Sequence, residues 1–220
     1  MLAINANHPV SLDTLVERLW DQHPPTRAYH SIYTYVARLR RLLEADGEGA
    51  ARIARNGASY SLHIKAESVD LHKARALLHR ALNSPDEIAS RLYCEALELW
   101  QGETLSGLRG AWTERTRSVL RQERLAALTA RYAAELRLGR HSQIVGELSG
   151  DVSEHPLDEA LAGLLMVSLH RCTRQADAIA VFHQIKGELV RQLGLYPGPQ
   201  LQRLYEGFLR NDSGLKTLAV

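Results

Sequence analysis

The chain has 220 residues, 45% of them hydrophobic, with only 15 Gly and 7 Pro, so it can bury a core in one or two domains and does not read as disordered. Its formal net charge of +2 is nearly balanced, so the mark of any charged partner has to be local. No run approaches the length of a membrane-spanning helix, Met1-Leu2-Ala3-Ile4 is too short for a signal peptide, and Cys94 and Cys172 lie far apart in apolar helical contexts. Membrane proteins and secreted disulfide frameworks are thereby set aside, and a cytoplasmic chain with reduced core thiols is expected.

In chain order, the first predicted element is a short amphipathic helix over Ser11–Trp20, followed by a turn at Gln22-His23-Pro24-Pro25. A second helix is predicted from about Thr26 to Leu43. That stretch carries four arginines (Arg27, Arg38, Arg40 and Arg41) and no acidic residue. Ile32, Val36, Leu39 and Leu43 recur at helical spacing and form one apolar stripe. At about 100° per residue, Arg27, His30, Thr34, Arg38 and Arg41 fall on the opposite side, flanked by Ser31 and Tyr33. Two helices with a turn between them and positive charge gathered on the second form the layout that enters a DNA major groove. Arginine can pair with guanine edges or grip phosphates, and Ser and Thr can do either less specifically. A solvated basic face is the plainer reading, and the preceding Pro-Pro turn and partner helix weigh against it.

After the Gly-containing stretch Asp46-Gly47-Glu48-Gly49, two short segments flank Asn56-Gly57, with Ile53 before it and Tyr60, Leu62 and Ile64 after it. This is a strong local signal for a β-hairpin. A hairpin directly after such a helix reads as a wing, with Arg40, Arg52, Arg55 and Asn56 as phosphate or minor-groove contacts.

From residue 66 the sequence reads as almost wholly helical. Leu71–Leu82 marks one helix, and Ile88–Trp100 marks a second, closed by Gly102. A long helix runs from near Trp112 to Leu138 and is stopped by Gly139; a shorter one lies around Ser142–Leu148. His155-Pro156-Leu157-Asp158-Glu159 opens a helix with Leu161, Leu164, Leu165, Val167 and Leu169 in its core, turned by Arg171–Arg174. The next carries Ala178, Val181, Phe182, Ile185 and Leu189. Gly194–Pro199 then breaks the chain before Leu201, Leu204, Tyr205 and Phe208. Paired helices of this size, with Ala178 four residues before Phe182, resemble tetratricopeptide packing without a strict 34-residue period. Such hairpins build surfaces for proteins.

Sites for chemistry are weak. Gly102–Gly107 has phosphate-loop glycine spacing but not the Lys-Ser/Thr ending, and Gly47-Glu48-Gly49-Ala50-Ala51-Arg52 lacks the third glycine of a dinucleotide site. His63, His72 and His79 lack the cysteine or paired carboxylate that would complete a metal ligand set. Glu154-His155 reads as the approach to a helix, and no serine sits in a nucleophile elbow. No enzyme, metal or cofactor is expected.

Three segments together resemble one family: Asn5–Ser11 leading into Leu15–Trp20, Tyr33–Leu43, and His155-Pro156-Leu157 through Leu193-Gly194-Leu195-Tyr196-Pro197-Gly198. Leu97–Gly102 and Glu123–Leu128 fit the same pattern. They look like the antibiotic regulatory proteins of actinomycetes, in which an OmpR-type winged helix precedes a bacterial transcriptional activation domain. The resemblance implies a mainly α fold: an incomplete winged helix-turn-helix with a C-terminal hairpin wing, then an all-α tetratricopeptide-like domain. It places the winged helix at residues 1–65, the activation domain at 66–210 and a tail at 211–220. It further implies a pathway-specific activator of secondary metabolism. Such a protein has as partners double-stranded DNA at promoter direct repeats, RNA polymerase, and a second copy of itself beside it on DNA.

Family members begin with a small sheet and a complete first helix, whereas here Met1 stands almost at the Asn5-Ala6-Asn7 segment. Leu15, Leu19, Ile32 and Val36 are therefore expected to be poorly covered, and the first 65 residues to fold only in part or to bind DNA weakly. A helical-repeat interaction scaffold whose N-terminal segment has no DNA role remains the alternative.

Overall fold

The structure, a computed structural model, describes residues 1–45 and 51–210. The glycine-containing stretch from Asp46 and the tail from residue 211, both read in the sequence, lie outside the described residues. The chain divides into two compact units. One is formed by residues 1–79 with 95–125, the other by residues 80–94 with those from 126 onward.

In the first unit, β1 (Val10–Ser11) leads directly into α1 (Leu12–Trp20). Ser11 is the N-cap: its Oγ accepts from the Thr14 amide at 3.0 Å and so satisfies one of the helix's orphan N–H groups. A turn through the two prolines leads to α2 (Ala28–Ala45), and then β2 (Ala51–Asn56) and β3 (Ser59–Ile64) form the hairpin. The sheet order is β1-β3-β2, antiparallel throughout, with Val10 opposite Tyr60 and Ile53 opposite Leu62.

The sequence reading missed β1, whose two residues are too few for a period-2 signal. It also centred the hairpin turn one residue early. Asn56 stays in the ladder opposite Ser59, so the two-residue loop is Gly57-Ala58. Gly57 takes the left-handed conformation (φ +58°) at the first loop position, which glycine adopts without steric cost.

Val10, Leu12, Leu15, Ile32, Val36, Ile53 and Tyr60 form the core of this part, with Met1, Leu2, Val16, Trp20, Leu43 and Leu62 packed around it. The expected poor coverage is corrected for Leu15, Ile32 and Val36, which are 5%, 2% and 4% exposed: the sheet and the first residues of the chain close over them. For Leu19 the expectation holds. It is exposed, as are Leu42 and, against the predicted stripe, Leu39. These residues edge an apolar trough of about 530 Å³ that Met1, Tyr35, Ile53 and Leu62 also line.

A 3₁₀ turn (Ala66–Ser68) precedes α3 (Asp70–Leu82), α4 (Asp86–Glu98) and α5 (Ala111–Arg137). Leu82, Ile88 and Val119, read as apolar face positions, are instead exposed. Arg75 on α3 pairs with both carboxylate oxygens of Glu123 on α5, at 2.9 and 2.7 Å. Arg117 donates to the carbonyls of Thr104, Leu105 and Leu108 (2.8, 2.8 and 2.9 Å), fixing the glycine-rich loop that sequence had compared with a phosphate loop.

The second unit contains α6 (His141–Glu154), α7 (Glu159–Arg171), α8 (Gln175–Leu193) and α9 (Pro199–Leu209). In α7 every residue from Leu161 to Leu169 is buried, the signature of a helix enclosed on all sides, and it packs against α6, α8 and α9. α9 packs over Gly163, where an added Cβ would sit 3.5 Å from the tips of Leu201 and Leu204, an ordinary contact distance. Phe182 on α8 stacks on Tyr205 of α9 at 4.1 Å between ring centroids, and His170 stacks on Phe208 at 4.6 Å. Gly194 at φ +67° ends α8, and Pro199 opens α9 in its first turn. Cys94 and Cys172 are half-buried rather than core residues, and no disulfide joins them.

Candidate nucleic-acid interface

α2 holds its place through one face and leaves the other to solvent. Ala28, Ile32 and Val36 are buried, while Arg27, His30, Tyr33, Arg38 and Arg41 are exposed and Ser31, Thr34 and Arg40 are half-buried. Arg27 lies one residue before the helix. No described acidic side chain forms an ion pair with Arg27, Arg38, Arg41 or Arg52. Among the described residues no ion pair offsets their charge, which can attract anions. Ser31 and Thr34 donate their hydroxyl protons back to the carbonyls of Arg27 and His30, at 3.3 and 3.1 Å. Their oxygens still present lone pairs outward.

The predicted residues do not all lie on one surface. Along β2 side chains alternate, so Ile53 and Arg55 face one way and Arg52 and Asn56 the other. Arg55 turns toward α2, with its guanidinium 5.2 Å above the ring of Tyr33 and its Nε donating to the Gly57 carbonyl at 3.0 Å. Arg40 also works between elements: its Nε donates to the Ile53 carbonyl at 2.9 Å, and its guanidinium lies 5.9 Å from the Tyr60 ring. These two arginines strap the hairpin to α2, while Arg52 and Asn56 point away from it. The two contacts hold the hairpin and α2 in a fixed relation to each other.

Two positioning groups escaped the sequence reading. Asn7, at φ +66°, makes a paired contact with the hairpin stem. Its Nδ2 donates to the Ile64 carbonyl at 2.9 Å, and its Oδ1 accepts from the Ile64 amide at 3.2 Å. The available signal was an Asn just before His-Pro, a residue type that tolerates the left-handed region. Tyr29, at the start of α2, donates its hydroxyl to Asp13 of α1 at 2.7 Å, and this bond raises the Tyr29 pKa above its ordinary value. His72, weighed as a metal ligand in sequence, instead contacts the Ala3 carbonyl through Nε2 at 2.9 Å.

Comparison with known proteins points one way. The family described as "Transcriptional regulatory protein, C terminal" matches residues 1–61, and that described as "Bacterial transcriptional activator domain" matches residues 69–209. The chain is 36% identical over 218 residues to the transcriptional regulatory protein EmbR of Mycobacterium tuberculosis, an alignment covering 96% of this chain and 56% of EmbR. It thus spans little more than half the length of that relative. It is 31% identical over 230 residues to the regulatory protein DnrI of Streptomyces peucetius, covering 98% of this chain and 83% of DnrI. The solved structure of M. tuberculosis EmbR in complex with a low affinity phosphopeptide superposes with a TM-score of 0.90 at 33% identity, covering 100% of this chain and 61% of that one.

Proposed function

The chain belongs to the antibiotic regulatory protein family of actinomycetes, a family of transcriptional regulators and not of enzymes, and from that premise we propose that it is a sequence-specific DNA-binding transcriptional activator. Residues 1–65 are assigned the DNA-binding role and residues 66–210 the activation role, a division supported by the spans of the two family matches. The observation that carries the reading is the solvent face of α2, where Arg27, Arg38 and Arg41 stand without acidic partners among the described residues, beside His30, Ser31, Tyr33 and Thr34. α2 enters the major groove with that face. Arg52 and Asn56 reach the backbone or minor groove from the outer side of the hairpin, and Arg40 and Arg55 hold the wing in register while their remaining N–H groups turn to phosphates.

In the cell, the protein works in the cytoplasm on direct repeats at promoters of secondary-metabolism genes. A second copy binds beside it, and the helical part recruits RNA polymerase. No described helix is long and apolar enough to cross a membrane, in keeping with that setting. The test is a salt-titrated binding assay with promoter DNA from the chain's own genomic neighbourhood. Affinity should fall steeply and log-linearly with salt, and a footprint should cover repeated half-sites. A chain that binds no DNA at low salt, while still capturing RNA polymerase, would turn the reading to a helical interaction scaffold.

A further inference from the structure

The turn that leaves α1 is fastened to the start of α5 by contacts that the DNA-binding reading does not use. Asp21 ends α1 at φ 50° and ψ −121°, a conformation rare outside glycine that persists only where its surroundings hold it. Its Oδ2 accepts from the amide of Ala111, the first residue of α5, at 3.1 Å. The amide is one of the helix's orphan donors, and a carboxylate there also complements the helix dipole. Gly110, at φ +118°, makes the approach possible: a Cβ on it would sit 3.1 Å from the same oxygen. Three residues before Asp21, the guanidinium of Arg18 lies 5.5 Å above the ring of Trp112. Both partners on α5 stand more than 80 residues away in sequence. Within the turn itself the backbone bonds are only local, His23 to Trp20 and Ala28 to Pro25, both at 3.0 Å.

We infer that Asp21 is a positioning residue for DNA reading: its bond to the α5 N-terminus, seconded by Arg18 on Trp112, sets the angle at which α2 leaves the turn. The inference rests on the DNA-binding reading above. Base-edge hydrogen bonds demand α2 within about 0.5 Å and 10–20° of its productive pose, whereas attraction to phosphates tolerates far more. Loosening the clasp should therefore erode discrimination between sequences and leave non-specific affinity in place.

Two variants of the full chain separate the side chain from the strained backbone. Asp21→Gly removes the acceptor while accepting the left-handed φ, and Asp21→Asn restores an acceptor on a residue that tolerates that φ. Two measurements are made on each: amide exchange at Ala111, and the ratio of affinities for a duplex selected by the wild-type chain from a random-sequence pool and for poly(dI-dC). Asp21→Gly should speed Ala111 exchange and lower the ratio roughly tenfold with poly(dI-dC) affinity unchanged, and Asp21→Asn should recover most of both, as expected of a contact that orients base-reading groups. Unchanged exchange in Asp21→Gly would overturn the clasp. Faster exchange with an unchanged ratio would overturn its positioning role. A wild-type chain that selects no sequence overturns the DNA reading and this role with it, while the exchange result still says whether the clasp exists.

Discussion

At the scale of single residues, the arginines of α2 divide by what already holds them. Arg38 and Arg41 have no ion-pair partner among the described residues, and both are exposed. Arg38, beside Thr34 on the face that would meet base edges, should carry discrimination. Arg38→Ala should relax preference at one or two base positions, a cost of about 1–3 kcal/mol per lost bidentate contact, and Thr34→Ala, with a single hydroxyl to lose, should relax it less. Arg41→Ala should weaken all sequences alike and reduce the salt slope by about one phosphate. Footprints that stay unchanged in both Arg38→Ala and Thr34→Ala would remove α2 from the groove. Elsewhere, Glu147 receives Arg131, with one arm of the pair at 2.7 Å, and that hydrogen bond holds its carboxyl below the ordinary value of 4.5. A depressed folded-state pKa contributes stability that is complete above 4.5 and lost as pH falls through the lowered value. Because the side chain of Glu147 is half exposed, the effect is small. Denaturant midpoints measured between pH 6 and pH 3 should fall less steeply in Glu147→Gln than in wild type.

At the scale of elements, what the sequence disclosed depended on how many residues carried the signal. α1 through α9 all lie where apolar spacing and Gly or Pro breaks marked them, although α6 runs on to Glu154, past the predicted Leu148. Its buried residues Ile144, Leu148 and Val152 recur every fourth residue, and the interposed Gly146 and Gly150 masked the pattern. β1 was invisible because two residues show no alternation and its pairing depends on β3, some 50 residues later. The site followed the same rule. The outward face of α2 was legible from helical periodicity alone, while the roles of Arg40 and Arg55 depend on which strand lies beside the helix. Ser11, read in sequence as the first helical residue and shown by the structure to be the N-cap, gives an element-scale prediction: Ser11→Ala should lower unfolding free energy by about 1 kcal/mol, read as a lower denaturant midpoint with an unchanged m-value.

At the scale of the whole molecule, the first compact unit does not stop at the hairpin but draws in residues 70–79 and 95–125. A fragment ending at Lys65 should therefore unfold at lower temperature than the same residues in the full chain, as followed by amide exchange at Ile32 and Val36. Equal protection in fragment and full chain would count against that dependence. In the second unit, Gly163 on buried α7 has only ordinary van der Waals neighbours for an added Cβ. Gly163→Ala should thus be neutral or stabilise by up to about 1 kcal/mol through helix propensity, whereas Gly163→Leu should displace α9 and lower the melting temperature.

The trough edged by Leu19, Leu39 and Leu42 also bears on how the protein behaves in the laboratory. Fluorescent dyes such as ANS light up on apolar surface, and their glow is usually taken as the sign of a loosened, molten state. Here an intact native fold already offers them a seat of about 530 Å³. A bright dye signal from this chain, unaccompanied by loss of near-ultraviolet circular dichroism, would report a folded protein and not a failed preparation.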